Sequence, residues 1–228
     1  MESNIKKKIK SFVLRSGKLT AGQKNAMENY SGNYCLDFTG QELNFSEIFA
    51  NDNPVIMDIG FGMGHALCAQ ALENEGFNFI GVEVYPAGVG ALIASLSKHN
   101  VKNVKIIQYD AVEILSSMVA PHSLAKIQLL YPDPWPKKRH HKRRIVSQEF
   151  LNLCAKSLEK DGLLQVVTDW EPYAEHILNQ IEQNMCFNIA TANAENLPWP
   201  DVNITSFAKK AILKKHVINN IVAKLIKS

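Results

Sequence analysis

From Pro54 onward, short apolar, β-branched runs alternate with segments whose apolar residues recur three and four positions apart. This alternation narrows the accessible folds more than any other feature of the chain. The spacing predicts strands at Val55–Ile59, Phe77–Val84, Val104–Tyr109, Lys126–Tyr131 and Leu163–Thr168. Between them it predicts helices at Ala66–Leu72, Val89–Leu96, Val112–Met118, Phe150–Leu158 and Tyr173–Met185. Strands separated by helices form a parallel sheet with right-handed crossovers. Nearly continuous apolar strands such as Ile127-Gln128-Leu129-Leu130 suit a sheet covered on both faces. The expectation is a doubly wound α/β domain over residues 54–228.

The flanks read differently. Residues 1–53 begin basic and then scatter Gly17, Gly22, Gly32 and Gly40 among polar residues, which predicts an arm or partly ordered extension with a short helix near Ala21–Tyr30. Near the end, Ile221–Ile226 fits a closing strand, yet Val217, Ile218, Ile221, Val222 and Leu225 also fit a helix face; periodicity leaves both open. The 46% apolar and 21% charged composition excludes a disordered or low-complexity chain. No apolar run approaches the ~18–20 residues that span a bilayer, and Met1–Lys10 has no apolar stretch behind it. Cys35, Cys68, Cys154 and Cys186 stand far apart without a disulfide-like rhythm, so a cytoplasmic location is expected.

The net charge of +3 conceals a segregation. Nineteen of the 25 Lys and Arg residues fall in residues 1–24, 137–144 and 205–228, while 21 of the 22 acids lie elsewhere. Basic blocks on an otherwise acidic chain point to a polyanionic partner.

The first predicted strand runs into Asp58-Ile59-Gly60-Phe61-Gly62-Met63-Gly64 and then a helix. Glycines there let backbone approach a ligand, and the helix start offers free amides. The G-x-G-x-G spacing is one residue short of the dinucleotide pattern, and the acid just before the loop suits a cationic ligand better than a pyrophosphate. Asp58, Glu83, Asp110 and Asp133 stand at the ends of four successive strands, where an open α/β sheet forms its ligand crevice. Glu83 is placed for ribose hydroxyls and Asp110 for an adenine amino group.

The fourth strand delivers Tyr131-Pro132-Asp133-Pro134-Trp135-Pro136, whose prolines stiffen the loop that presents Asp133 and Trp135. Lys137-Lys138-Arg139-His140-His141-Lys142-Arg143-Arg144 follows at once. Six certain positive charges in eight residues repel one another unless an anion neutralises them, and a phosphate backbone is the natural partner. The fifth strand ends in Thr168-Asp169-Trp170-Glu171-Pro172, where Asp169 suits a base edge; Trp170 either stacks on a base or packs, with packing favoured. There is no G-x-S-x-G, no Walker loop and no H-E-x-x-H, and the histidines show no metal-ligand spacing, so no metal is expected.

Together these residues resemble the bacterial tRNA (guanine-N7)-methyltransferase family. The resemblance runs through Ser11-Phe12-Val13-Leu14-Arg15, Gly22-Gln23, Ile59–Gly64, Gly81-Val82-Glu83-Val84, Tyr109-Asp110-Ala111, Pro132-Asp133-Pro134-Trp135, Lys142–Val146 and Thr168–Ala174. It implies a Rossmann-like class I methyltransferase sheet with helices on both faces, carrying a basic N-terminal extension. It further implies S-adenosylmethionine as methyl donor and tRNA as partner, with guanosine 46 of the variable loop as the usual target. By the resemblance Asp58, Gly60, Gly62, Glu83, Asp110 and Asp133 contact the cofactor, with Asp133 the catalytic residue. Lys137, Asp169 and Thr205 contact the substrate, and Arg139, His140, His141, Lys142, Arg143 and Arg144 contact RNA.

One element departs from the family. Where it carries Thr-x-Phe-Glu, this chain reads Thr205-Ser206-Phe207-Ala208, and the glycines that usually follow are replaced by Lys209-Lys210-Ala211-Ile212-Leu213-Lys214-Lys215. The departure keeps two alternatives open: methylation of another RNA position, and RNA binding without catalysis on a methyltransferase fold.

Overall fold

The computed structural model describes residues 9–13, 17–190 and 197–227. Leu14 and Arg15 of the resemblance, and the first eight residues of the basic start, lie outside them. The chain opens with helix α1 (Ala21–Tyr34), strand β1 (Cys35–Leu36) and helix α2 (Phe45–Phe49). Five strand–helix alternations follow: β2 (Val55–Ile59), α3 (His65–Glu73), β3 (Asn78–Val82), α4 (Pro86–Lys98), β4 (Val104–Ile107), α5 (Ala111–Ser117), β5 (Leu124–Leu130), α6 (Gln148–Ser157), β6 (Leu158–Thr168) and α7 (Glu171–Glu182). The last elements are β7 (Phe187–Ala190), α8 (Ser206–Leu213) and β8 (Asn219–Leu225).

The eight strands form one sheet in the order β1-β4-β3-β2-β5-β6-β8-β7. Pairing is parallel from β1 to β6, and β8 runs antiparallel between β6 and β7. Alternate strand residues feed opposite faces. Ile56, Phe79, Val104 and Ile106 pack under α1, α3 and α4, whereas Met57, Ile80 and Ile107 pack under α5, α6 and α7. Every residue of β2, β3 and β5 is buried, which explains their lack of alternation in sequence.

Two expectations need adjusting, and one open alternative is decided. The segment expected to be an arm is part of the packed body from Thr20 onward. Thr20 and Gln23 form a reciprocal capping box that starts α1, α1 packs on α4, β1 pairs with β4, and Phe45 enters the core. The glycines disguise this, because none of Gly22, Gly32 or Gly40 meets a neighbour that requires it. β6 begins at Leu158, five residues before the expected strand, and the ambiguous end is a strand. Sheet pairing with β6 settles the latter, since burial of both faces erases its period of two. Among the described residues no helix is long and apolar enough to cross a membrane.

Candidate active site

The strand order reverses at β2, which has β3 on one side and β5 on the other. In such sheets a crevice opens beyond the carboxyl ends of the strands at that point. Here it is lined by Asp58, the loop Gly60–Gly64, Leu130, Tyr131, Thr205 and Phe207. Asp58 lies inside β2, one residue before its end, and forms the crevice floor with 1% of its surface exposed. Glu83 directly follows β3, while Asp110 and Asp133 stand in the loops after β4 and β5.

The glycine loop is shaped by sterics. Gly60, Gly62 and Gly64 have φ of 75°, 59° and 74°, a region costly for L side chains. A Cβ on Gly64 would sit 2.7 Å from Leu92, and one on Gly88 of α4 would sit 2.1 Å from the Gly62 carbonyl oxygen. The Glu83 carboxylate accepts hydrogen bonds from the amides of Gly62 (2.9 Å), Val84 (2.7 Å) and Tyr85 (3.1 Å). Burial raises the Glu83 pKa and these amides oppose the rise, while the nearby Asp133 charge adds to it.

Asp58 Oδ2 accepts from Gln128 Nε2 at 3.2 Å, whereas Oδ1 has no hydrogen-bond partner among the described residues. Burial pushes the Asp58 pKa up to about 7, against the lowering effects of Gln128 and Lys126. A buried carboxylate oxygen left open on a crevice floor suits a cationic group. The crevice therefore fits S-adenosylmethionine, which carries a sulfonium and an amino group. Asp110 caps α5 by accepting from the Val112 amide at 3.1 Å, and its other oxygen lies 4.0 Å from Lys10 Nζ. Capping uses one oxygen of Asp110 and leaves the other toward Lys10, with the residue buried.

The loop after β5 joins this crevice to the basic surface. Tyr131 (φ 56°) and Trp135 (φ 45°) both take left-handed backbone on either side of Pro132-Asp133-Pro134, a conformation that costs of order 1–3 kcal/mol per residue. Packing holds it in place. Trp135 Nε1 donates to the Ser11 carbonyl at 3.0 Å, and the Arg143 guanidinium lies 5.2 Å from the Trp135 ring centroid. Asp133 is exposed on this loop. The basic run coils into a 3-10 helix, Lys138–Arg143, which crowds its charges further. Lys137, Arg139 and Lys142 are exposed, and His140, His141 and Arg143 are half-buried. Partial desolvation and the neighbouring cations hold the His140 pKa below its ordinary value.

Arg144 behaves differently from the residues grouped with it. It is buried, its Nε donates to the Pro134 carbonyl at 3.0 Å, and its guanidinium lies over the Tyr173 ring. Its guanidinium is tied to the Asp133 loop and to Tyr173. Trp170, for which the sequence favours packing, is 37% exposed at the start of α7. Asp169 is half-buried beside Tyr131, with His216 Nδ1 3.3 Å from its Oδ2. Thr205 caps α8, accepting from the Ala208 amide at 3.0 Å, and Ala208 is fully buried against Ala66, Leu130, Tyr131 and Val167.

Sequence reading missed Tyr131 and Phe207, whose rings stack at 6.0 Å beside the crevice, and it missed Gln128 and Gly88. Gln128 carried a signal: with Lys126 it is polar at alternate positions of an otherwise apolar strand. Tyr131 and Phe207 lie in segments already singled out, Tyr131–Pro136 and Thr205–Ala208, without a role of their own; Gly88 gave no signal, because nothing local distinguishes a contact made across the fold.

Comparison with known proteins agrees with this geometry. The family described as "Putative methyltransferase" matches residues 52–221. A tRNA (guanine-N(7)-)-methyltransferase of Pasteurella multocida is 45% identical over 92% of this chain and 82% of its own length. One of Francisella tularensis subsp. novicida is 41% identical over 94% of both chains. Among solved structures, a 16S rRNA (adenine(1408)-N(1))-methyltransferase from Catenulisporales acidiphilia superposes with a TM-score of 0.53 at 13% identity, covering 82% of this chain and 95% of that one. A precorrin-6y C5,15-methyltransferase from Geobacter metallireducens gives 0.52 at 14% identity, covering 95% and 94%. Those two establish the fold, and the sequence relatives establish the kinship: the chain belongs to the S-adenosylmethionine-dependent tRNA (guanine-N7)-methyltransferase family.

Proposed function

We propose that the chain methylates N7 of guanosine 46 in the tRNA variable loop, with Asp133 as its catalytic residue. The observation that carries this reading is the continuity of one loop. Residues 131–144 run from the crevice wall at Tyr131, through exposed Asp133, into the exposed cations Lys137, Arg139 and Lys142. A polyanion held on those cations brings its bases to the acid beside the methyl-donor crevice.

When bound, S-adenosylmethionine supplies an electrophilic methyl group. Guanine N7 has an in-plane lone pair and no proton, so the chain needs no general base. Its residues have two tasks instead: to align the base and to stabilise the purine as it becomes cationic. Asp58 takes the cationic end of the donor, Glu83 the ribose and Asp110 the adenine amino group. Asp133 lies near Glu83 and faces the purine as positive charge arrives there. Lys137, Asp169 and Thr205 contact the substrate nucleotide, while Arg139, His140, His141, Lys142 and Arg143 engage the phosphates around it. The location that suits this work is the cytoplasm.

The test is methyl transfer from labelled S-adenosylmethionine to tRNA lacking the modification, with the product mapped by cleavage at 7-methylguanosine. Label at the variable-loop guanosine is expected, and label elsewhere would replace guanosine 46 by another position. Asp133→Ala should lower turnover far more than tRNA binding; an equal loss in both removes Asp133 from the chemical step.

A further inference from the structure

On the face covered by α3, the sheet beneath the crevice is polar where a core is ordinarily apolar. Asp58, Gln128 and Gln165 lie side by side on β2, β5 and β6 through their pairing register, and none is more than 1% exposed. Gln70 of α3 covers them. Gln128 Nε2 donates to Asp58 Oδ2 (3.2 Å) and to Gln70 Oε1 (2.8 Å), and Gln70 Nε2 donates to the Pro198 carbonyl (3.0 Å). Lys126, two residues before Gln128 on the same face of β5, has no exposed surface. Its Nζ donates to the same Pro198 oxygen at 3.0 Å and lies 4.0 Å from the Trp199 ring centroid.

A lysine inside a sheet is costly, and a methionine would fill the same volume without desolvating a charge. What the ammonium supplies here is a fixed point for a segment with little other secondary structure. Pro198 and Trp199 lead directly into a 3-10 turn, Val202–Ile204, that packs on α3 and α8. Thr205 then caps α8, and Thr205 and Phe207 form the crevice wall across from the glycine loop. Two donors converge on one carbonyl, and their hydrogen-bond chain ends at the crevice floor.

We infer that Lys126 is a positioning residue: together with Gln70 it pins Pro198 and Trp199, and so sets where Thr205 and Phe207 stand over the crevice. This rests on the reading of that crevice as the methyl-transfer site with α8 on its substrate side. The pin acts on the substrate side, because Lys126 reaches the donor side only through Asp58, which Gln128 also holds.

The experiment uses the full chain and Lys126→Met, with Gln70→Leu as a second variant that removes the other donor onto Pro198. Amide hydrogen exchange over residues 199–213 should quicken about tenfold in Lys126→Met, with β2 and the glycine loop unchanged. KM for tRNA should rise about fivefold or more, while the Kd of S-adenosylhomocysteine, read at about pH 9 where Asp58 is ionised with or without Lys126, stays within about twofold. Gln70→Leu should move the same quantities in the same direction by less, and it stands alone if Lys126→Met does not fold. Unchanged exchange over 199–213 in a folded variant overturns the inference, as does a loss of S-adenosylhomocysteine affinity equal to the loss on the tRNA side. If the wild-type chain fails to methylate tRNA, the functional reading falls, and the exchange result alone then decides whether the pin exists.

Discussion

The Glu83 carboxylate, just past the end of β3, accepts a hydrogen bond from the Gly62 amide in the loop after β2, at 2.9 Å. One side chain thus ties the glycine loop after β2 to the turn after β3. Glu83→Gln replaces one acceptor oxygen by a donor facing amides that are themselves donors. The expected result is about tenfold weaker S-adenosylhomocysteine binding by calorimetry, from the ~1–3 kcal/mol cost of a mismatched buried polar contact. Affinity equal to the wild type would mean that the loop keeps its shape without Glu83.

Arg144 and the exposed cations should separate cleanly. Replacing Lys137, Arg139 and Lys142 by Met should reduce the salt slope of tRNA binding by about two to three, since each phosphate no longer neutralised lowers it by roughly 0.7–0.9. Arg144→Met should leave that slope alone and lower Tm, because it unpairs the Pro134 carbonyl and removes the charge over Tyr173. A cost of ~1–3 kcal/mol corresponds to about 2–4 °C per kcal/mol for a chain of this size. A flattened salt response in Arg144→Met would place its charge on RNA after all.

The pH response follows from the buried pair. Asp58 titrates near about 7 in the fold instead of 3.8, driven by desolvation. Between those values the native state binds more protons than the unfolded chain, so stability falls as pH rises. Lys126 is pushed down to about 7 from 10.5, again by burial, so above neutrality the native state binds fewer protons and stability rises with pH. Stability without ligand should therefore pass through a minimum near neutral pH. A cation docking on Asp58 favours its carboxylate, so the Tm increment from S-adenosylhomocysteine should grow between about pH 6 and about pH 8. Asp58→Asn should flatten that growth; an increment already independent of pH in the wild type would contradict the assignment.

Ala208 marks a committed departure. Its side chain has no exposed surface among Ala66, Leu130, Tyr131 and Val167. Restoring the family acid with Ala208→Glu should destabilise the chain by ~1–3 kcal/mol, by placing a carboxylate in an apolar pocket. Thermal unfolding measures this, and an unchanged Tm would show that the pocket opens easily toward the crevice.

The replaced glycines leave a trace as well. α8 ends with His216 N–H on the Ala211 carbonyl and Lys215 N–H on the Ile212 carbonyl, with Lys215 at φ 55° where glycine is favoured. Lys215→Gly should stabilise the protein by ~0.5–1 kcal/mol and keep His216 against Asp169. A lower Tm would mean that the lysine side chain contributes more than its backbone costs.

Much of this was legible in the sequence. The period change at each strand–helix junction located β2 through α7, since both faces of the sheet demand apolar residues, and the glycine loop with Asp58 before it marked the crevice. Strand β1 and the docking of α1 were hidden: the helix near Ala21–Tyr30 was expected, but α1 buries little beyond Ala26 and Tyr34 and its place in the body depends on contact with α4. The burial of Arg144 was not legible for a related reason: its neighbours in sequence are exposed or half-buried, and only the folded loop turns it toward Pro134. The pairing of Asp58 with Gln128 depends on a strand register that no local pattern encodes.

The placement of β8 bears on how the molecule is assembled during synthesis. β7 pairs only with β8 among the described strands, and the open side of β6 is covered by β8 as well. Until residues 219–225 have emerged, β6 and β7 lack their bridge and a buried strand edge stays available to other chains. The crevice wall at Thr205 and Phe207 comes from the stretch made just before. A nascent chain can thus complete the glycine loop and Asp58 while the Thr205 and Phe207 wall of the crevice is still missing.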